Sequence, residues 1–220
     1  MSEPSFLTQT RAGYDAFVPT YLEMAVGEME RQPFDRAMLT AFADLVRSAV
    51  ADGVTGASGG HRVAEVGCGP GRISAYLADL GLDMFGIDLS PAMVEHARTA
   101  YPQLTFDVAS MLSLDWPEGD LAGLVAWYSV IHIPPAERPA LFADFHRFLA
   151  PGGHLVMAFQ AGDDVLIHDF HGAEVHFHRL QPETIAAQLT EAGFTMVASL
   201  RRAPNNEKTD QGYLIARKPA

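Results

Sequence analysis

Cysteine is almost absent from this chain of 220 residues: there is one, Cys68. No internal disulfide can form, which suits a reducing compartment. Basic charge is scarce too. Lys and Arg total 15 against 27 Asp and Glu, the formal net charge is −12, and the cations form no cluster beyond Arg201-Arg202. A field of that sign repels phosphate backbones and argues against nucleic acid as a partner. No apolar run reaches the roughly 20 residues of a membrane span. Met1 to Gln9 lacks a basic stretch followed by an apolar one, so no secretory signal is visible. Internal repeats and low-complexity tracts are missing as well. These absences predict a soluble, cytoplasmic protein with no membrane partner. A hydrophobic content of 48% over this length predicts one domain with a sizeable core.

What is present alternates. Two helical patterns come first. Arg11 to Arg31 carries Tyr14, Phe17, Val18, Tyr21, Leu22 and Met24, and Pro19 predicts a break into two pieces. Pro33 to Ala51 repeats apolar residues at helical spacing. Gly53 to Gly60 is a small, glycine-rich connector, so residues 1–56 read as an N-terminal helical lid and 57–220 as the core. Strands are expected at Arg62–Val66, Met84–Ile87, Leu104–Asp107, Leu121–Trp127, His154–Phe159, Thr195–Arg201 and Tyr213–Arg217. Helices are expected at Arg72–Leu80, Pro91–Ala100, Pro135–Leu149 and Pro182–Ala192. This alternation predicts an α/β fold with a doubly wound, mostly parallel, seven-stranded sheet. Arg202 to Gln211 is polar and holds no helix, which predicts a hairpin and an antiparallel last strand. Residues 161–180 read as an insertion covering the substrate.

The most informative segment is Val63-Ala64-Glu65-Val66-Gly67-Cys68-Gly69-Pro70-Gly71-Arg72. An apolar strand ends in an acid, and glycines follow at alternate positions before a helix. Such glycines permit a sharp turn and let a ligand lie on bare main chain, at the carboxyl end of a strand. A dinucleotide loop needs Gly-x-Gly-x-x-Gly, and Arg72 stands where its third glycine belongs. The Gly-Lys-Ser/Thr of a phosphate loop is missing. Cys68 occupies a position that wants a small residue and reads as packing. A second strand, Met84-Phe85-Gly86-Ile87-Asp88, also ends in an acid, placed to accept hydrogen bonds from both hydroxyls of a ribose. Ser90-Pro91 reads as N-cap and first helical residue.

Glu-x-Gly-x-Gly-x-Gly followed by Gly86-x-Asp88-x-Ser90-x-x-Met93 resembles the first two motifs of class I S-adenosylmethionine-dependent methyltransferases, over roughly Arg62 to Arg217. The resemblance implies a Rossmann-like fold and S-adenosylmethionine as cofactor, with S-adenosylhomocysteine as product. It implies that Glu65, Gly67, Gly69 and Arg72 hold the methionine half, and that Asp88 binds the ribose, with Leu89 and Met93 beside it. Ser110 and Met111 would meet the adenine. Ser110 departs from the acid often found there, and Asp107 is the alternative. Trp127 and Tyr128 fall on the loop beside the reactive methyl, where aromatic faces attract a sulfonium cation. Tyr14 and Tyr21 resemble the Tyr-Asp-x-x-x-x-x-Tyr lid of small-molecule methyltransferases.

Nine histidines are the less specific signal. His168, His171, His176 and His178 cluster, and strand spacing would put His176 and His178 on one face. They lack the carboxylates of a divalent site, so no metal is expected. A general base is expected from His132, on the methyl-side loop, or from His171 in the insertion, with Tyr128 alongside. The resemblance implies methyl transfer to an O, N or C atom of a small acceptor, and the aromatic lid residues and acidic surface suit an aromatic one, such as an indole or phenol. No Asn-Pro-Pro-Tyr or Asp-Pro-Pro-Tyr follows the fourth strand, which argues against nucleobase and glutamine amino groups. The competing readings are a nicotinamide-dependent oxidoreductase and a non-catalytic S-adenosylmethionine-binding module. Oligomeric state stays open, a homodimer included.

Overall fold

The computed structural model describes residues 3–170, 172–205 and 207–220. Its centre is a seven-stranded sheet in the order β3-β2-β1-β4-β5-β9-β8. The strands are β1 (Arg62–Val66), β2 (Asp83–Asp88), β3 (Thr105–Val108), β4 (Leu121–Trp127), β5 (Leu149–Gln160), β8 (Thr195–Arg202) and β9 (Gln211–Arg217). β9 runs antiparallel to both neighbours and the remaining pairs are parallel. β4 is buried along its whole length, as expected of a central strand covered on both faces.

Helices α3 (Pro33–Ala51) and α4 (Arg72–Asp79) cover one face, through Phe42, Val46, Ile73 and Leu77. α6 (Arg138–Phe148) and α7 (Pro182–Glu191) cover the other, through Phe142, Phe145, Ile185 and Leu189. α5 (Pro91–Ala100) is capped by Ser90, whose Oγ accepts from Met93 N at 3.1 Å, with Pro91 opening the helix. Strand order reverses between β1 and β4, which makes the carboxyl ends of those strands the ligand crevice of such a sheet.

Three features differ from the sequence expectation. α1 (Ser5–Ala25) runs unbroken through Pro19. Pro19 is exposed, so water can satisfy the carbonyl that loses its donor. The helix is held on both sides, by the β6–β7 hairpin and by α5. α3 is a layer of the sandwich rather than part of a lid, because its apolar stripe enters the core. That leaves α1 and the short α2 (Glu28–Arg31) above the crevice. Finally, the segment after β5 is itself regular. β6 (Val165–Phe170) and β7 (Ala173–His178) form a separate antiparallel hairpin. No helix among the described residues is long and apolar enough to cross a membrane.

Candidate functional site

A cavity of about 620 Å3 opens at the carboxyl ends of β1, β2 and β4, roofed by α1 and the hairpin. Its size is in the ordinary range for small-molecule sites. The residues expected to hold the cofactor line it, as do Tyr128 and His132; Asp107, His176 and His178 do not, and His171 lies outside the described residues.

The glycine turn builds the floor. Gly67, Gly69 and Gly71 all have positive φ. At Gly67 (φ 73°) a Cβ would stand 2.4 Å from that of Ser129, so both backbone shape and space demand glycine. The N–H groups of Gly67 and Cys68 both donate to the Ile87 carbonyl, at 2.8 and 2.9 Å, tying the turn to β2. Cys68 packs against Gly86 and Phe106, and burial pushes its thiol pKa up, which fits packing and not nucleophilic chemistry.

Asp88 is oriented from two sides. Gly69 N donates to its Oδ2 at 2.7 Å and Ser90 N to its Oδ1 at 2.8 Å. Burial raises its pKa, opposed by these bonds. Each oxygen keeps acceptor capacity for a further donor. Glu65 is buried more deeply and accepts from Ser74 Oγ at 2.5 Å. Burial pushes its pKa up to about 8, with the Arg72 charge working against the rise. The Arg72 guanidinium lies 3.4 Å from the Tyr21 hydroxyl, so the cavity holds one acid and one fixed cation side by side. Ser110 and Met111 line the β3 end. Asp107, the alternative to Ser110, is not in the lining: it points outward to Arg98 at 3.1 Å.

The other half of the cavity follows β4. Tyr128 takes φ 54°, the one described non-glycine residue with positive φ. Such strain in a bulky residue gathers at functional sites. Its ring stands edge-on to Trp127, and burial drives its hydroxyl pKa far up, so it remains a protonated donor. Ser129 Oγ, in a residue 7% exposed, has no hydrogen-bond partner. His132 is fixed at both nitrogens: Nδ1 lies 2.9 Å from the His176 carbonyl and Nε2 lies 2.8 Å from the Tyr14 hydroxyl. A carbonyl only accepts, so Nδ1 carries the proton and the Tyr14 hydroxyl donates to Nε2. Burial pulls the His132 pKa down to about 4 and pushes that of Tyr14 up.

The hairpin divides the histidine cluster. His168, Phe170 and Phe177 face the cavity. His176 and His178 share the opposite face, with rings 6.3 Å apart. Among the described residues no group of three or more potential ligands could hold a metal.

Several wall residues carried no sequence signal. Asp35 on α3 and Glu207 on the β8–β9 loop reach the far end of the cavity. Tyr213 Oη donates to Asp35 Oδ1 at 2.5 Å, Arg202 Nε donates to Tyr213 Oη at 2.8 Å, and Arg202 is paired with Glu207. That pairing holds the Glu207 pKa down to about 2. Asp15 had a signal that went unused, because it stands inside the Tyr14–Tyr21 motif. It accepts from Ser90 Oγ at 2.5 Å and Ala92 N at 3.1 Å, pinning α1 to the first turn of α5.

Residues 63–153 match the family model described as a methyltransferase domain. Phosphoethanolamine N-methyltransferase 3 of Arabidopsis thaliana is 33% identical over 103 residues, 44% of this chain and 21% of that protein. Demethylmenaquinone methyltransferase of Beutenbergia cavernae is 32% identical over 103 residues, 47% of this chain and 42% of that protein. The chain spans between about a fifth and just over half the length of the curated relatives it matches. Among solved structures, magnesium protoporphyrin IX methyltransferase of Synechocystis, with S-adenosylmethionine bound, superposes with TM-score 0.65 at 20% identity, covering 99% of both chains. The sheet order, the glycine turn joined to Asp88, and the matched segment agree with one another: residues 63–153 carry a methyltransferase domain, set in the fold of the class I S-adenosylmethionine-dependent methyltransferases.

Proposed function

We propose that this chain transfers a methyl group from S-adenosylmethionine to an O, N or C atom of a small, aromatic acceptor such as an indole or phenol. The observation that carries this reading is the cavity itself. It joins the glycine turn and Asp88 at one end to the Tyr14–His132 pair at the other, between aromatic walls from Phe17, Tyr21, Trp127, Tyr128, Phe170 and Phe177. The relatives named for phosphoethanolamine and demethylmenaquinone support a small acceptor.

The residues fit the cofactor. The turn at Gly67 and Gly69 leaves main chain bare, and the Asp88 carboxylate is set to receive the ribose hydroxyls. Ser110 and Met111 would meet the adenine, with Leu89 and Met93 as apolar wall. Glu65, protonated in the free chain, would ionise against the ammonium of the methionine half, and Arg72 would meet its carboxylate. The sulfonium supplies an activated methyl group. Trp127 and Tyr128 would stabilise its charge through their ring faces. α1 and the hairpin exclude water, and Tyr21 closes over Arg72.

His132 limits the proton chemistry. A base with a pKa near 4 cannot deprotonate a phenol or indole in advance. It takes a proton readily from a centre that turns strongly acidic as the new bond forms, such as an oxonium or a methylated ring nitrogen. The Tyr14 hydroxyl stands between His132 Nε2 and the cavity as a relay: it accepts the acceptor's proton as its own passes to Nε2. Most of the acceleration then comes from alignment and water exclusion.

The test has two arms. Calorimetry should show S-adenosylhomocysteine bound and NAD not bound; the reverse would return the chain to the oxidoreductase reading. Incubation of S-adenosylmethionine with a panel of phenols, indoles and amines should yield the thioether and a methylated product. His132→Gln should lower turnover by about two to four orders of magnitude with cofactor affinity unchanged. Binding without turnover on any acceptor would make the chain a cofactor-binding module.

A further inference from the structure

A second, smaller cavity of about 190 Å3 lies between the first turns of α6 and α7, lined by Arg138, His178, Arg179 and Thr184 together with Asp163 and Asp164. Arg138 is its unusual member. It opens α6 yet is only 6% exposed. Its Nε donates to the Ile133 carbonyl at 2.9 Å, but its buried Nη2 has no hydrogen-bond partner. Among the described residues no carboxylate lies within 4 Å of it. A buried guanidinium with neither counter-charge nor a full set of acceptors is costly to maintain. Its planar fork matches an anion that offers two oxygens.

Independent features point the same way. Arg179 gives Nη1 to Asp164, at 2.9 and 3.0 Å, while its Nε is buried without a partner. α7 is ten residues long, and no side chain caps the N–H groups of its first turn, which includes Thr184. A helix N-terminus of this kind favours negative charge. The two aspartates are already engaged, Asp164 by Arg179 and Asp163 by Gln181 Nε2 at 2.8 Å.

We propose that this cavity binds a small oxyanion, either a carboxylate or a tetrahedral anion such as sulfate, held by Arg138, Arg179 and the first turn of α7. The site is separate from the methyl-transfer cavity but adjoins it. Arg138 holds the carbonyl of Ile133, the residue after His132, and His178 stands beside His176, whose carbonyl fixes His132.

His178 reports occupancy in the unmodified chain. Burial lowers its pKa first, followed by the charges of Arg138 and His176. An anion on Arg138 cancels part of that field. NMR titration of the His178 ring, at ionic strength held constant with chloride, should show its pKa rising saturably as sulfate or acetate is added. Saturation by sulfate alone assigns a tetrahedral anion, by acetate alone a carboxylate, and by both their shared two-oxygen chemistry. Saturation by neither overturns the site. Arg138→Gln should abolish the response. Because Arg138 also supports the Ile133 carbonyl, Arg179→Gln serves as the second variant and should weaken binding by about tenfold, the worth of one good contact. A folded Arg138→Gln chain that still responds as the unmodified one does would equally overturn the proposal.

Discussion

At the scale of single residues, Asp88 links sequence to site most directly. It was legible because an acid at the end of a second strand has few structural uses, and its backbone partners are supplied by its own neighbourhood and by the glycine turn. Asp88→Ala removes an oriented acceptor and also frees the N–H groups of Gly69 and Ser90. Calorimetric titration with S-adenosylhomocysteine should show affinity falling by about 1.5–3 kcal/mol, the range for hydrogen bonds to a charged group. An unchanged affinity would remove Asp88 from the cofactor site. Asp35, Glu207 and Ser129 were not legible for the opposite reason. Asp35 and Glu207 meet through Arg202 and Tyr213 across widely separated segments, and Ser129 gains its place only from the close approach of β4 to Gly67. No local pattern encodes such meetings.

At the scale of elements, what could be read was what repeats. Near-continuous apolar runs such as Leu121–Trp127 announce central strands, and Ser90-Pro91 announces a helix start; observed boundaries differ by a few residues, as ends commonly do. In the β6–β7 hairpin, β7 does alternate, with Ala173, Val175 and Phe177 on one face and Glu174, His176 and His178 on the other, but β6 mixes His168 and Asp169 into its apolar residues, so the pair was not legible as a hairpin. Pro19 misled because propensity counts the lost hydrogen bond and not the packing that holds the helix. These two misread elements are the ones that roof the cavity. α1 is tied to the start of α5 by Asp15 and to the Leu89 carbonyl by Arg11, and it rests on the hairpin through Gln9, Gly13 and stacked Phe17 and Phe170, 4.3 Å apart. A roof joined to the sheet through a few side chains rather than through strands should open locally. Amide exchange in α1 and the hairpin should therefore slow when S-adenosylhomocysteine binds, while β4 and β5 remain unchanged. Asp15→Asn should speed exchange in α1 in the free chain. Equal protection of α1 with and without the ligand would mean that this helix is no gate.

At the scale of the whole molecule, buried ionisable groups set how stability depends on pH, and they pull in opposite directions. His154 on β5 is buried beside Arg217, with Nδ1 unpartnered, and burial takes its pKa down to about 4. His132 falls to about the same value. Between roughly pH 6.5 and 4 the unfolded chain binds protons at these histidines that the folded chain refuses. Their contribution is complete above 6.5 and is lost as pH falls through that window. Glu65 works in reverse. Its folded pKa of about 8 stands above the ordinary 4.5, so the folded chain keeps a proton that the unfolded chain has released. Its contribution is complete below 4.5 and is lost as pH rises toward 8. Two histidines outweigh one glutamate where the windows overlap, and above pH 6.5 Glu65 acts alone among the three. Urea midpoints of the ligand-free chain should therefore peak at about pH 6.5 and decline toward 8. Glu65→Gln keeps an acceptor for Ser74 Oγ but cannot ionise, so it should flatten the decline above pH 6.5 while leaving the acid limb in place. If the variant declines as steeply as the parent, the buried acid at the head of the glycine turn is ionised in the free chain, and burial does not hold its proton.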